Sequence, residues 1–275
     1  MLLYRRPLRH AQGVVRPGSI VTRSPTPSAP TASRSRPRSF PPDDLIWRVT
    51  GTRDRDHFDS SGGQSLSDIR RALASVGTSL ERFHSVLDFG CGCGRVLRWL
   101  AALPHRAEFV GCDIDAETVK WARDNIRGSR VVVNDSRPPL PFAADTFDLV
   151  YNHSVFTHLP EDYQDAWLAE LSRVTKPGGT LLLSVAGDHP FAGFVESWHA
   201  AGADPSRFEV LYRKKGLVYI REDSWQDGPF PDFYHSTFHA PWYVFEHWKR
   251  FFEIRSYLVR GALEFQDLVV LEPLS

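Results

Sequence analysis

The chain has 275 residues, 42% of them hydrophobic, enough to bury one sizeable domain with additions. Its 33 basic and 33 acidic residues cancel, but residues 1–42 hold eight arginines and no acid, which leaves a balance of −8 on the rest. An acidic body argues against a nucleic-acid partner, and no apolar run nears the roughly 18 residues that span a bilayer, so no membrane is expected. Three cysteines, Cys91, Cys93 and Cys112, with no C-x-x-C pair, argue against a disulfide framework or a structural zinc and fit a reducing, cytoplasmic setting.

Residues 1–42 are rich in Arg, Pro and Ser, most densely at Ser24-Pro25-Thr26-Pro27-Ser28-Ala29-Pro30, and are expected to form a disordered tail. An organelle transit peptide and a start placed too early are the other readings of that composition. Residues 43–85 read as a helical entry segment, with Ile69, Leu73 and Val76 at helical spacing over 67–76; within it, Val49-Thr50-Gly51-Thr52-Arg53 is read as a turn, the other reading being a loop that folds over a ligand. From 86 onward strand and helix patterns alternate. Strands are expected at 86–89, 109–112, 131–133, 147–151 and 180–185. Between them fall helices at about 95–103, from an Asp115 N-cap to 127, and after Pro160, the last stopped by Lys176-Pro177-Gly178-Gly179. This alternation predicts an α/β protein with a doubly wound, mostly parallel sheet. A helix at 242–251 and strands at 254–259 and 267–271 would close it from the C-terminal segment 241–275.

Between the 86–186 core and those closing elements lies an insertion, 187–240, containing Trp198, Tyr212, Tyr219, Trp225, Phe230, Phe233 and Tyr234. An insertion at that point sits above the carboxyl ends of the strands, where ligands bind, so it is expected to act as a lid or substrate segment. Most of its aromatics should pack a small core, with two or three left for a pocket.

Chemistry concentrates at Val86-Leu87-Asp88-Phe89-Gly90-Cys91-Gly92-Cys93-Gly94-Arg95. Glycines at 90, 92 and 94 allow a tight strand-to-helix turn with bare backbone that a ligand can approach. A dinucleotide fingerprint, G-x-G-x-x-G, would need its third glycine where Arg95 stands, which disfavours a nicotinamide enzyme. Asp113 follows Gly94 by nineteen positions, the placement of a carboxylate that binds ribose hydroxyls, and Asp135, between Asn134 and Ser136, closes the next strand. Asp88, Asp113 and Asp135 thus fall on one rim.

These segments, with Val110-Gly111-Cys112-Asp113-Ile114-Asp115, Leu140-Pro141-Phe142, Phe147-Asp148-Leu149-Val150 and Leu171-Ser172-Arg173-Val174-Thr175-Lys176-Pro177-Gly178-Gly179, resemble a class I S-adenosylmethionine-dependent methyltransferase. The resemblance covers roughly 80–186 and implies a Rossmann-like seven-stranded sheet with one antiparallel C-terminal strand. It implies S-adenosyl-L-methionine as cofactor and a small-molecule acceptor, most simply an oxygen nucleophile. In it Gly90, Cys91, Gly92 and Gly94 would form the turn against the methionine portion, with Asp88 near its amino group. Asp113 would bind the ribose, Ile114 would pack on the adenine, and Asp135 with Ser136 would face its amino group. Asn152, His153 and Ser154 would border the sulfonium and the acceptor. A hydroxyl acceptor wants a general base, and His158, then His153, are the candidates, because histidine titrates near neutrality. No H-E-x-x-H or similar pattern points to a metal. A non-catalytic scaffold, or an RNA or protein methyltransferase, would share the same cofactor half.

Overall fold

The computed structural model describes residues 39–104, 107–221 and 229–274. Most of the expected tail and Trp225 lie outside the described residues.

The chain enters through two helices, α1 (Asp43–Thr50) and α2 (Arg55–Ser75). The Asp54 carboxylate caps α2, accepting from the amides of Asp56 and His57 at 2.9 and 3.0 Å. The helix is 21 residues long, much more than the 67–76 pattern suggested, because it continues through Gly62 and Gly63. A Cβ on Gly62 would sit 2.2 Å from the carbonyl oxygen of Arg95, so glycine is what lets α2 lie against the segment after β1.

Then come β1 (Ser85–Phe89), a short α3 (Leu97–Leu100), β2 (Glu108–Asp113), α4 (Ala116–Asn125), β3 (Ser129–Val133) and β4 (Phe147–Asn152). After a 3₁₀ turn at Phe156–His158 follow α5 (Glu161–Val174) and β5 (Thr175–Val185). The helix expected over 95–103 is cut to one turn, with Leu103 N bonded to the carbonyl of Leu100 in a tighter turn just before Pro104. Lys176-Pro177-Gly178-Gly179, read as a helix stop, lies inside β5: pairing with β4 jumps from Phe147–Thr175 to Leu149–Thr180 across a bulge with Gly178 at φ 72°.

The insertion supplies α6 (Asp188–Ala200), α7 (Ser206–Lys215), β6 (Leu217–Ile220) and β7 (Ser236–His239). The chain closes with α8 (Pro241–Trp248), β8 (Phe252–Ala262) and β9 (Gln266–Pro273). Seven strands form one sheet in the order β3-β2-β1-β4-β5-β9-β8. β1 to β5 pair in parallel, and only β9, between β5 and β8, runs against its neighbours.

Alternation along the strands places a core on each face. Val86, Phe109, Leu149 and Tyr151 face α2, α3 and α4, while Leu87, Val110, Val150 and Leu181 face α5 and α8. The insertion has a separate core of Phe191, Phe194, Phe208, Tyr212 and Phe238. Among the described residues no helix is long and apolar enough to cross a membrane.

Candidate functional site

Strand order reverses between β1 and β4, and a cleft of about 1180 Å³ opens there, outside their carboxyl ends. Its floor is the glycine turn. The amides of Gly90 and Cys91 both bond the carbonyl of Cys112, at 2.8 and 3.0 Å, which folds the chain back from β1 against β2. Gly90 and Gly92 take φ of 78° and 52°, and a Cβ there would lie 2.2 Å from Val155 and 2.5 Å from Val49. Asp113 braces the turn, one carboxylate oxygen accepting from Gly92 N at 2.7 Å and the other from Asp115 N at 2.9 Å. Burial pushes the Asp113 carboxyl up, and those two amides pull against it.

Asp88, at the end of β1, is 3% exposed, and its Oδ2 has no hydrogen-bond partner. Burial raises its carboxyl to about 7; the Arg95 guanidinium opposes this and Asp113 adds to it. The Asn134 Oδ1, on the rim after β3, is likewise buried without a partner. Two orphaned acceptors call for a ligand that brings donors, because an unmet buried acceptor costs about 1–3 kcal/mol. An ammonium group for Asp88 and an amino group for Asn134 would answer both. Arg95 borders the cleft but is buried, its guanidinium donating to Ser65 Oγ at 3.1 Å. It therefore does not project as a phosphate-binding arm.

Two distant segments wall the cleft. From α1, Arg48 reaches over to Asp115 (3.0 Å) and Glu117 (2.7 Å) at the start of α4, and Val49 packs on the glycine turn. From the insertion come Phe230 and Tyr234, stacked 4.6 Å apart, with Trp47 of α1 packed 5.8 Å from Phe230 and His158 behind Tyr234 at 4.0 Å. Phe230, Phe233 and Tyr234 border the cleft, whereas Trp198 and Tyr212 pack the insertion.

Of the residues singled out in the sequence, Asp88, Gly90, Cys91, Gly92, Asp113, Ile114, Ser136, His153 and Ser154 border the cleft. Four do not. Asp135 points to solvent, and Asn134 takes the place on the wall instead. Gly94, at φ 81°, turns toward Ile126 at the end of α4, where a Cβ would meet its side chain at 2.1 Å. Asn152 lies within the sheet, its Oδ1 accepting from Ser184 N at 3.2 Å and so tying β4 to β5. His158 stands behind Tyr234, with Nδ1 3.0 Å from the carbonyl of His235, and burial drives its pKa down to about 3. That position corrects the expectation of His158 as a base: a ring stacked beneath another does not reach the cleft. Sequence reasoning missed Arg48 and Asn134, and for the segment from Val49 it preferred a turn to the loop over a ligand that its place on the cleft resembles. Asn134 carried a signal, as the polar neighbour of Asp135 at a strand end.

A family profile described as a methyltransferase domain matches residues 87–183. The methyltransferase GfsG of Streptomyces halstedii is 32% identical over 106 residues, 37% of each chain. The fatty-acid O-methyltransferase of Mycolicibacterium smegmatis is 35% identical over 121 residues, 39% of this chain and 43% of that one. The chain thus spans less than half the length of either relative. Among solved structures, PH0226 protein from Pyrococcus horikoshii OT3 superposes with a TM-score of 0.55 at 20% identity, over 83% of this chain and 98% of that one. The DhpI–SAH complex gives 0.52 at 17% identity, over 84% and 95%. The glycine turn, the seven-stranded order with its single reversed strand and the matched core identify a class I S-adenosylmethionine-dependent methyltransferase domain, a family whose cofactor is S-adenosyl-L-methionine.

Proposed function

We propose that the protein transfers the methyl group of S-adenosylmethionine to an oxygen atom of a small molecule. The observation that carries this reading is Asp88: a buried carboxylate oxygen without a partner, beside a left-handed glycine turn and a second strand-end acid. The cofactor, when bound, supplies a methyl group activated by a positively charged sulfur.

The chain's own residues hold and orient it. Asp88 would accept from the amino-acid ammonium. Each Asp113 oxygen already accepts one amide but keeps lone pairs for ribose hydroxyls. Ile114, 37% exposed, offers an apolar face to the adenine, and Asn134 with Ser136 would read its amino group. Phe230 and Tyr234 border the cleft and would help keep water from the bound cofactor, which strengthens charge contacts inside. Much of the rate would come from positioning, which can lower a barrier by about 7–11 kcal/mol. On this reading residues 86–186 bind the cofactor, while 43–85 and 187–240 wall the cleft around it.

The oxygen assignment is supported by relatives named as a fatty-acid O-methyltransferase and a malonyl-[acyl-carrier protein] O-methyltransferase of Legionella pneumophila, the latter 31% identical over 118 residues. A second reading, RNA methylation, is favoured by a tRNA (carboxymethyluridine(34)-5-O)-methyltransferase of Arabidopsis thaliana, 34% identical over 114 residues. The −8 balance outside residues 1–42 weighs against it.

Calorimetry with S-adenosylmethionine tests the proposal. Saturable binding is the expected result, weakened by more than about 1 kcal/mol in Asp113→Ala through lost charge-assisted bonds. A folded protein that takes up no cofactor at millimolar concentration would refute it.

A further inference from the structure

A second cavity, of about 720 Å³, lies between α2 and the β8–β9 hairpin and meets the cleft at one residue, His153, which borders both. His57, Ser60, Ser61 and Gln64, one face of α2, form one wall, and Leu263 and Phe265 are part of the other. Among the described residues no lysine, arginine, aspartate or glutamate borders it. At the junction Ser154 takes φ 61° and accepts from Gln266 Nε2, which ties the end of β4 to the hairpin.

Beneath that junction runs a buried chain of polar groups. Arg95 donates to Ser65 Oγ at 3.1 Å, its charge also acts on the Tyr151 phenol, and the phenol oxygen lies 3.2 Å from His153 Nδ1. A guanidinium can only donate, so Ser65 must accept from it. Each donor in a chain that starts at a cation polarises the next one away from that cation. The Tyr151 hydroxyl, facing the same cation, then turns its proton away from it, to His153 Nδ1. A second cation at His153 would also face the buried Arg95, and burial together with Arg95 holds the imidazole pKa well below its ordinary 6.5. His153 is therefore neutral, with Nδ1 as acceptor and its proton on Nε2. It is a hydrogen-bond donor at the junction rather than a base. The remaining acids on the cleft wall are engaged: Asp113 by two amides, Asp115 by the α4 cap and Arg48, and Asp88 by the cofactor under the proposed reading.

We infer that the second cavity is the acceptor site and that the acceptor is a small-molecule carboxylate, held by the His153 Nε2–H and methylated to an ester. The inference rests on the proposed methyl transfer. A hydroxyl or an ammonium would have to surrender a proton; among the described residues no carboxylate borders the cavity to take it, and the other imidazole there, His57, does not border the cleft where the methyl group would sit. A carboxylate has already lost its own. One of its oxygens accepts from His153; the other attacks the methyl carbon. An O–C bond forms, the C–S bond breaks, its electron pair stays on sulfur as a neutral thioether, and no proton moves. The cavity, bordered by no lysine, arginine, aspartate or glutamate among the described residues, then takes the rest of an acid that bears no second charge.

The first test needs no turnover. With S-adenosylhomocysteine bound, nitrogen NMR should show His153 neutral with its proton on Nε2 from pH 6 to 8, and Tyr151→Phe should release that fixed tautomer. Aliphatic and aromatic carboxylates should shift the Nε2–H signal, while the matched alcohols, phenols and amines should not. With labelled S-adenosylmethionine and the same panel, label should enter the acids and be freed by mild alkali as volatile methanol, about fivefold more slowly in Tyr151→Phe. An imidazolium at pH 6, a proton on Nδ1, no acid that shifts the signal, or alkali-stable label would overturn the inference. If S-adenosylhomocysteine itself fails to bind, the proposed function fails instead.

Discussion

Burial of Asp88 sets two demands against each other. With a carboxyl raised from the ordinary 3.8 to about 7, the group adds stability below pH 4, and that contribution is lost as pH climbs through 7. The unfolded chain gives up this proton near pH 4 and the folded chain keeps it to about 7, so the cofactor-free protein should weaken over that interval. Each tenfold difference in proton affinity between the two states is worth about 1.4 kcal/mol. Asp88→Asn removes the charge, and we expect it to stabilise the empty protein at pH 8 by about 2 kcal/mol, the rest being offset by burial of the amide. The same variant should lose most of its cofactor affinity. Urea unfolding at pH 4 and pH 8, beside calorimetry, measures both effects; a destabilised variant at pH 8 would show that Asp88 is held charged by Arg95.

At the scale of elements, the cleft depends on how closely α1 and α2 approach the turn after β1. A glycine inside a helix costs about 0.5–1 kcal/mol relative to alanine, so Gly62→Ala should help α2 on propensity alone. The Arg95 carbonyl 2.2 Å from that Cβ, with Trp99 at 2.8 Å, decides the sign: we expect a net loss of more than about 2 kcal/mol, read as a lower midpoint in denaturant. The α1 contact is softer. Arg48 bridges Asp115 and Glu117, of which the second is 65% exposed, so the pair is screened and worth about 1 kcal/mol. Arg48→Ala should therefore hasten cofactor release by about fivefold in stopped-flow measurements, with little change in melting temperature.

At the scale of the whole molecule, the insertion is a second packing unit on the sheet. Phe194 is 1% exposed at the centre of its core, and Phe194→Ala should cost about 3–5 kcal/mol. Hydrogen exchange should show the loss in α6, α7, β6 and β7 while β1 to β5 keep their protection; uniform loss would mean that the two cores fold as one. The sheet was legible because its strands are short apolar runs broken by helix periods, a local property of residues such as 86–89 and 109–112. The walls of the cleft were not. Arg48 and Val49 come from some forty residues before the turn they cover; a loop over a ligand was one reading of Val49-Thr50-Gly51, but nothing local said which turn it would meet. Asn134 and Asp135 differ only in which way the chain turns once β3 has ended. Arg95, conspicuous as a missing glycine, gave no hint that its guanidinium is buried against Ser65 of α2.

The orphaned oxygen of Asp88 has a consequence for the solution around the protein. Empty, the cleft holds a proton at pH 6; filled by a ligand that carries an ammonium, it has no place for one. Cofactor uptake should then expel close to one hydrogen ion per molecule below pH 7 and almost none at pH 9. The heat of binding would differ between phosphate and Tris by the difference in their ionisation enthalpies, so a change of buffer alone would count that proton.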